Sequence, residues 1–161
     1  MSESLVCVVM GSKSDWEIMS RTDALLTEFE VPHECRVLSA PRTSKAAAEY
    51  AAGLEARGVE VVICASGMAV HLAGAFAAHS LLPVLGVPIP SGDLKGMDAL
   101  LATVQMPGGL AVGALGIGKA GADNAALLAV QILAGQRPEL RERLRAYRQR
   151  RVEKVLAEQL P

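Results

Sequence analysis

LVCVVMGSKSDW, residues 5–16, is the stretch that decides the fold. Six consecutive apolar residues without polar alternation are typical of a strand that is buried on both faces, as in a parallel sheet. The Gly-Ser-Lys-Ser-Asp run that follows ends the strand, and helical sequence continues over residues 15–30, stopping before Pro32. A strand, a tight turn and a helix in this order predict the first half of a β-α-β unit.

The alternation of strand and helix continues along the chain. Further strands are predicted over residues 35–38, 59–64, 84–87 and 110–115, and helices over 44–57, 69–79, 97–104 and 123–133. Strands that alternate with helices in this way predict an α/β fold, with a parallel five-stranded sheet and helices on both faces.

Length and composition predict one domain, residues 1–161, that assembles with copies of itself. The chain has 161 residues, of which 51% are hydrophobic and 3% aromatic. So much Ala, Val and Leu gives more apolar helix surface than one core of this size requires, which favours a homo-oligomer over a tightly packed monomer.

Charge and cysteine usage predict a cytoplasmic protein whose partners are neither nucleic acid nor membrane. The net charge is −1, no segment has the length of a membrane span, and residues 1–5 carry no basic start of a signal peptide. The three cysteines are widely spaced, and those in apolar runs are expected to be reduced and buried.

The C-terminal segment, residues 137–158, is predicted to form an arm helix. Residues 137–154 hold eight of the sixteen basic residues, and Pro138 suits the first turn of a helix. Leu140, Leu144, Tyr147 and Val155 share helical spacing, which predicts an apolar stripe beneath a basic face. Docking of this stripe on a neighbouring subunit is favoured over a nucleic-acid arm.

The loop after the first strand is a candidate anion site. Ligands bind outside the carboxyl ends of parallel strands, and a helix N-terminus attracts phosphate. Gly11 allows the turn, Ser12 and Ser14 offer hydroxyls, and Asp15 could accept hydrogen bonds from ribose. Helix capping by Ser14 or Asp15 alone explains the motif equally well.

The loops after the second and third strands contribute further candidates. Arg42 is a plausible phosphate ligand, although a surface charge is the alternative. Ser66 and Gly67 could approach a ligand with their backbone groups, and His71 is either a catalyst or a hydrogen-bonded core residue. The three histidines are not expected to form metal-ligand spacing with the cysteines, and no metal is predicted.

Read together, these loops resemble one known family. The runs GSKSDW, SAxRT, HLxG, LGVP, VQMP and GIGKAGADNAALLAVQIL are similar to the class I N5-carboxyaminoimidazole ribonucleotide mutases of bacterial purine biosynthesis, in one register from about residue 5 to residue 158. The resemblance implies a three-layer flavodoxin-like fold and octamers with sites between subunits. It also implies transfer of a carboxylate from an exocyclic nitrogen to the ring carbon through CO2, without metal, biotin or ATP.

The resemblance implies a role for each matched residue. Ser12 and Ser14, after Gly11, are implied to hold phosphate, as is Arg42, and Asp15 is implied to hold the ribose hydroxyls. The base and carboxylate end is implied to be lined by Ser39, Ala40, Pro41, Ser66, Gly67 and Met68.

The chain departs from the family pattern at the base end. Pro41 stands where the family has the histidine that moves the ring-carbon proton, and Ser44 stands where it has proline. Ser66, Met68 and Val70 are larger than the family's glycine and alanine. His71 is the candidate substitute catalyst.

Three functions follow from these departures. The first is a mutase-family enzyme acting on aminoimidazole ribonucleotide or its carboxylated forms, as a mutase or as a decarboxylase. The second is a paralogue that carboxylates or decarboxylates a different ribonucleotide. The third is a non-catalytic nucleotide-binding homologue.

Overall fold

Five parallel strands form one central sheet in the computed structural model, which describes residues 4–160. The strands are β1 (Val6–Met10), β2 (His33–Val37), β3 (Val61–Gly67), β4 (Val84–Ile89) and β5 (Gly113–Ala114). Their order is β2-β1-β3-β4-β5, and every neighbouring pair is parallel. This is the flavodoxin-like order, so the predicted fold class is confirmed.

Six helices connect and flank the strands in the described part of the chain. They are α1 (Trp16–Glu28), α2 (Ser44–Ala52), α3 (Leu72–Ala77), α4 (Met97–Val104), α5 (Lys119–Leu133) and α6 (Pro138–Leu156). Among residues 4–160, no helix combines the length and apolarity that a membrane crossing requires.

Three predicted elements are clearly shorter than expected. The helix predicted over 44–57 ends at Ala52, and Glu55–Arg57 forms a separate 3₁₀ turn. The helix predicted over 69–79 begins only at Leu72, because Met68 and His71 both adopt the left-handed backbone, with φ of 54° and 50°. The strand predicted over 110–115 is reduced to Gly113–Ala114, which pairs with β4 at the sheet edge.

The core lies in two layers, one on each face of the sheet. Alternate residues of β1, such as Val6 and Val8, face a cluster that includes α1 and α5. The residues between them, Cys7 and Val9, face α2 and α3. Cys7 and Cys64 are buried free thiols as predicted, and burial raises the pKa of Cys7 to about 11.

Helix α6 packs its first half against its own chain. Leu140, Leu144 and Tyr147 contact the α1–α5 layer, and the Tyr147 ring lies 5.4 Å from that of Phe29. Val155, the last residue of the predicted stripe, is 64% exposed. Three of the four stripe residues therefore dock within the subunit, and docking of the far end on a neighbour stays a prediction.

Replacing Gly121 with alanine is expected to lower the free energy of unfolding by about 3 kcal/mol. A Cβ at this position of α5 would lie 1.6 Å from the carbonyl oxygen of Gly116, and backbone atoms cannot move aside cheaply. Urea unfolding measures the loss. Gly108→Ala is the matched control, because its Cβ would meet nothing within 4 Å. Equal stability of the two variants would contradict the packing argument.

Candidate functional site

A cavity of about 350 Å³ opens at the carboxyl ends of β1 to β4. Its wall comes from the four loops that follow these strands, where a doubly wound sheet places its ligands. The lining residues are Gly11, Ser12, Ser14, Asp15, Ser39, Pro41, Arg42, Ser66, Gly67, Met68, Val70 and Ser91. The structure thus brings together every predicted substrate-binding residue except Ala40.

The turn after β1 is a capped helix start. Ser12 is the N-cap of a short 3₁₀ turn, Lys13–Asp15, and the Asp15 carboxylate accepts a hydrogen bond from the Ser12 backbone N–H at 3.0 Å. The Ser14 hydroxyl lies 3.0 Å from that of Ser12. Ser12 therefore caps the 3₁₀ turn, and Asp15 occupies the N-cap position of α1, as the sequence suggested, although its side chain bonds back to Ser12 and not into α1. Capping and ligand binding are compatible here, because the same residues also line the cavity.

Asp15 and Arg42 are the titratable side chains among the described lining residues. Asp15 is only 6% exposed. Burial raises the pKa of the Asp15 carboxyl, while the backbone N–H groups of Ser12 and Gly11 and the charge of Arg42 oppose that rise. The cavity therefore holds one buried acid near one cation, a pairing suited to a ligand with both hydroxyl groups and an anionic end.

Arg42 links the first two loops. Its Nη2 donates to the carbonyl oxygen of Gly11 at 2.8 Å, and its Nε donates to the Ser39 hydroxyl at 3.1 Å. A second depression of about 310 Å³ shares Gly11, Ser12, Ser39 and Arg42 and adds Lys13. The guanidinium thus lies where cationic charge can reach an anion held at the start of α1.

Pro41 lies on the cavity wall, but Ala40 does not. Ala40 lines a separate cavity of about 110 Å³ and packs beside the α2–α3 layer. Both residues lie in a turn that the Thr43 N–H closes on the Ser39 carbonyl oxygen at 2.8 Å, and this turn presents Pro41 to the cavity and Ala40 to the α2–α3 layer. The prediction that Ala40 lines the site does not match the structure.

His71 is also not among the cavity-lining residues. It precedes α3 with φ of 50°, and its ring lies over Gly74, where an added Cβ would be 2.1 Å from Nε2. Within the part of the chain that the structure describes, its buried Nδ1 has no hydrogen-bond partner. A catalytic role for His71 stays a prediction, and this position does not support it.

Sequence reasoning missed one lining residue, Ser91, and named Val70 only as a departure from the family pattern at the base end. Ser91 packs against Gly67 so closely that a Cβ on Gly67 would lie 2.0 Å from its hydroxyl oxygen. Its position just after β4 was the signal, because that loop also lies at the carboxyl edge of the sheet.

Replacing Met68 with glycine is expected to raise the free energy of unfolding by up to about 1 kcal/mol. Met68 adopts a φ of 54° with its side chain 57% exposed, so the change relieves backbone strain and removes little packing. Urea unfolding of Met68→Gly beside Met68→Ala measures the effect, since alanine keeps the strain. A Gly variant no more stable than the Ala variant would show that the loop carries no such strain.

The AIR carboxylase family model matches residues 5–154. The chain belongs to the AIR carboxylase family. It is 49% identical over 153 residues to the N5-carboxyaminoimidazole ribonucleotide mutase of Pseudomonas aeruginosa, covering 95% of this chain and 94% of the relative. The mutase of Mycobacterium tuberculosis is 49% identical over 152 residues, covering 94% of this chain and 86% of the relative.

The fold is also that of a solved structure. The crystal structure of Treponema denticola PurE superposes with a TM-score of 0.85 at 24% identity, covering 95% of this chain and 94% of that one. The family resemblance read from the loop motifs is therefore confirmed by sequence, and the flavodoxin-like architecture by structure.

Proposed function

We propose that this member of the AIR carboxylase family binds aminoimidazole ribonucleotide and its carboxylated forms and converts N5-carboxyaminoimidazole ribonucleotide to 4-carboxy-5-aminoimidazole ribonucleotide. The observation that carries the proposal is the cavity itself. It joins a capped helix start, a buried carboxylate and an arginine at one edge of the sheet. Relatives that are 49% identical are named for this reaction.

The phosphate end of the ligand is assigned to the loops that Arg42 joins. Ser12, Ser14 and the start of α1 offer hydroxyl and N–H donors, and the Arg42 guanidinium offers a charged fork. Asp15, buried beside them, accepts from the ribose hydroxyls. The aminoimidazole ring then extends toward Pro41, Ser66, Gly67 and Met68, which complete the wall.

The chemistry is a transfer of CO2 within the cavity. Cleavage of the N–C bond releases CO2 and leaves the electron pair on the exocyclic nitrogen, which takes up a proton. The ring carbon then attacks CO2, a C–C bond forms, and that carbon loses its proton to an acceptor. The enamine-like electrons of the substrate's own ring drive the attack, so the proposal includes no cofactor.

Pro41 favours a second candidate function, decarboxylation without efficient recarboxylation. Proline has no side-chain proton acceptor, and the resemblance places the family's proton-moving histidine at this position. Cleavage of the N–C bond needs no base at the ring carbon, whereas completion of the C–C bond does. We therefore expect release of CO2 to compete with its transfer.

The test is turnover of each carboxylated isomer, followed by imidazole absorbance and by CO2 release. We expect 4-carboxy product above the buffer rate, and a loss of about 100-fold in Asp15→Asn, because the amide replaces one of two charged acceptor oxygens with an NH2 group that can only donate. Asp93→Asn, an exposed aspartate outside the cavity wall, is the matched control. Turnover of neither isomer, together with no binding of aminoimidazole ribonucleotide, would overturn the proposal.

We also propose that the protein is a single-domain, cytoplasmic homo-oligomer, with the octamer that the resemblance implies. Met97, Leu101 and Val104 form an apolar stripe along α4, and each is more than half exposed. Such a stripe is typical of a subunit interface. The three free cysteines suit a reducing compartment, and the net charge of −1 gives no support for nucleic acid as a partner.

A further inference from the structure

A cluster of three possible metal ligands lies at the edge strand, away from the proposed substrate site. His33 and Cys35 are two residues apart on β2 and therefore face the same side, where they meet Asp23 of α1. Glu34, between them, faces the other way and pairs with Arg36 and Arg57. The His33 side chain is only 11% exposed.

The hydrogen bonds of His33 determine which nitrogen is available. Its Nδ1 lies 2.8 Å from the carbonyl oxygen of Val31, which can only accept, so Nδ1 carries a proton. In the neutral ring, Nε2 then carries a lone pair and is an acceptor. It lies 3.0 Å from the Asp23 carboxylate oxygen, which is also an acceptor. Two acceptors at this distance need a positive species between them, either a second ring proton or a metal ion.

The third ligand group of the cluster is the Cys35 thiol. The Cys35 sulfur lies 3.6 Å from the same Asp23 oxygen, and all three ligand atoms lie within 4.8 Å of one another. Zinc bonded tetrahedrally separates a nitrogen and an oxygen ligand by about 3.3 Å, and a sulfur and an oxygen ligand by about 3.5 Å. A proton between His33 and Asp23, and a hydrogen bond from the Cys35 thiol to the same Asp23 oxygen, hold the three groups together in the absence of an ion. An ion that displaces these protons therefore meets three ligand atoms that already lie close to the separations zinc requires.

We propose that Asp23, His33 and Cys35 form a zinc-binding site that joins α1 to the edge strand. The donor set of imidazole, thiolate and carboxylate is one that zinc takes. The bond from Nδ1 to the Val31 carbonyl orients the ring as metal-bound histidines usually are. Cys35 also lines an open depression of about 400 Å³ beside Trp16, so solvent reaches the cluster from the Cys35 side.

The position of this cluster indicates a structural role and not a catalytic one. His33 is the first residue of β2 and pairs with Val6, the first residue of β1, whereas the substrate cavity lies past the carboxyl ends of the strands. β2 has a neighbour on one side only. An ion that binds the folded chain alone would hold this strand to α1 and raise the stability of the fold.

Cobalt(II) is the spectroscopic probe for the test, and zinc is the competitor. We expect the full-length protein to bind one cobalt ion per chain with a thiolate-to-cobalt charge-transfer band and the intense visible bands of a tetrahedral site. Zinc is expected to remove these bands and to raise the melting temperature of the protein. Absence of a thiolate band in the folded wild-type protein would overturn the proposal.

Variants locate the ion. Cys35→Ser is expected to lose the charge-transfer band, and both Cys35→Ser and Asp23→Asn are expected to weaken zinc binding by at least about 100-fold. Cys7→Ser and His79→Gln, a buried thiol and an exposed histidine outside the cluster, are the matched controls. Circular dichroism confirms folding of each variant. A band that persists in Cys35→Ser, or that disappears in either control, would show that the ion binds elsewhere and would overturn the proposal.

Discussion

Pro41→His is expected to raise the rate of conversion of N5-carboxyaminoimidazole ribonucleotide to its 4-carboxy isomer by about 10²–10⁴-fold. Pro41 lines the cavity next to Arg42, so an imidazole at this position would project from the same wall as the proposed ribonucleotide grip. Histidine titrates near neutral pH and can take the proton that the ring carbon must lose. The gain corresponds to about 3–5 kcal/mol of activation barrier.

The control for this prediction is Pro41→Ala. Alanine removes the rigid ring and restores a backbone N–H but offers no base, so a gain limited to histidine identifies proton transfer as its cause. The rate of CO2 release measured in parallel separates cleavage from recarboxylation. If the histidine variant binds the ribonucleotide as well as the wild type but gains no mutase activity, the base end of the cavity has diverged beyond this residue. Pro41→His combined with Met68→Gly then tests the second departure from the family pattern.

Arg42→Met is expected to weaken binding of aminoimidazole ribonucleotide by about 100-fold or more, because it removes the charged fork proposed to hold the phosphate. Isothermal titration with the ribonucleotide and with the corresponding phosphate-free riboside measures the effect. We expect the riboside to bind the variant and the wild type about equally well. The difference between the two ligands isolates the contribution of the phosphate.

Arg42 also holds two loops together, so a loss of binding could come from altered loop structure as well as from the missing phosphate contact. Its guanidinium donates to the Gly11 carbonyl oxygen and to the Ser39 hydroxyl, so the methionine variant also loses these bonds. Arg42→Lys keeps the charge and loses the planar fork, and is expected to bind the ribonucleotide with intermediate affinity. Equal losses for ribonucleotide and riboside would assign Arg42 to loop structure and would contradict its role as a phosphate ligand.

The sequence by itself determined the fold and the edge of the sheet where the site lies. The apolar run at the start of the chain has no polar alternation, and burial of β1 on both faces is the reason. Proline marked the end of α1, before Pro32, and the start of α6, at Pro138, because its ring restricts the backbone independently of its surroundings. The turn from Gly11 to Asp15 and the loop of Arg42 were predicted to share a site because parallel strands bring their carboxyl ends to one edge of the sheet.

Only the tertiary structure decided which side chains enter the site and which do not. Ala40 and Pro41 are neighbours in the chain, yet one lines the cavity and the other a separate space. His71 lies in the loop after β3 and was the candidate catalyst, but its left-handed backbone places its ring over Gly74. Asp23 and Cys35 meet through the packing of α1 on an edge strand, twelve residues apart in sequence. Local composition encodes where strands and helices begin and end, whereas the direction of a loop side chain depends on contacts with residues that are distant in the chain.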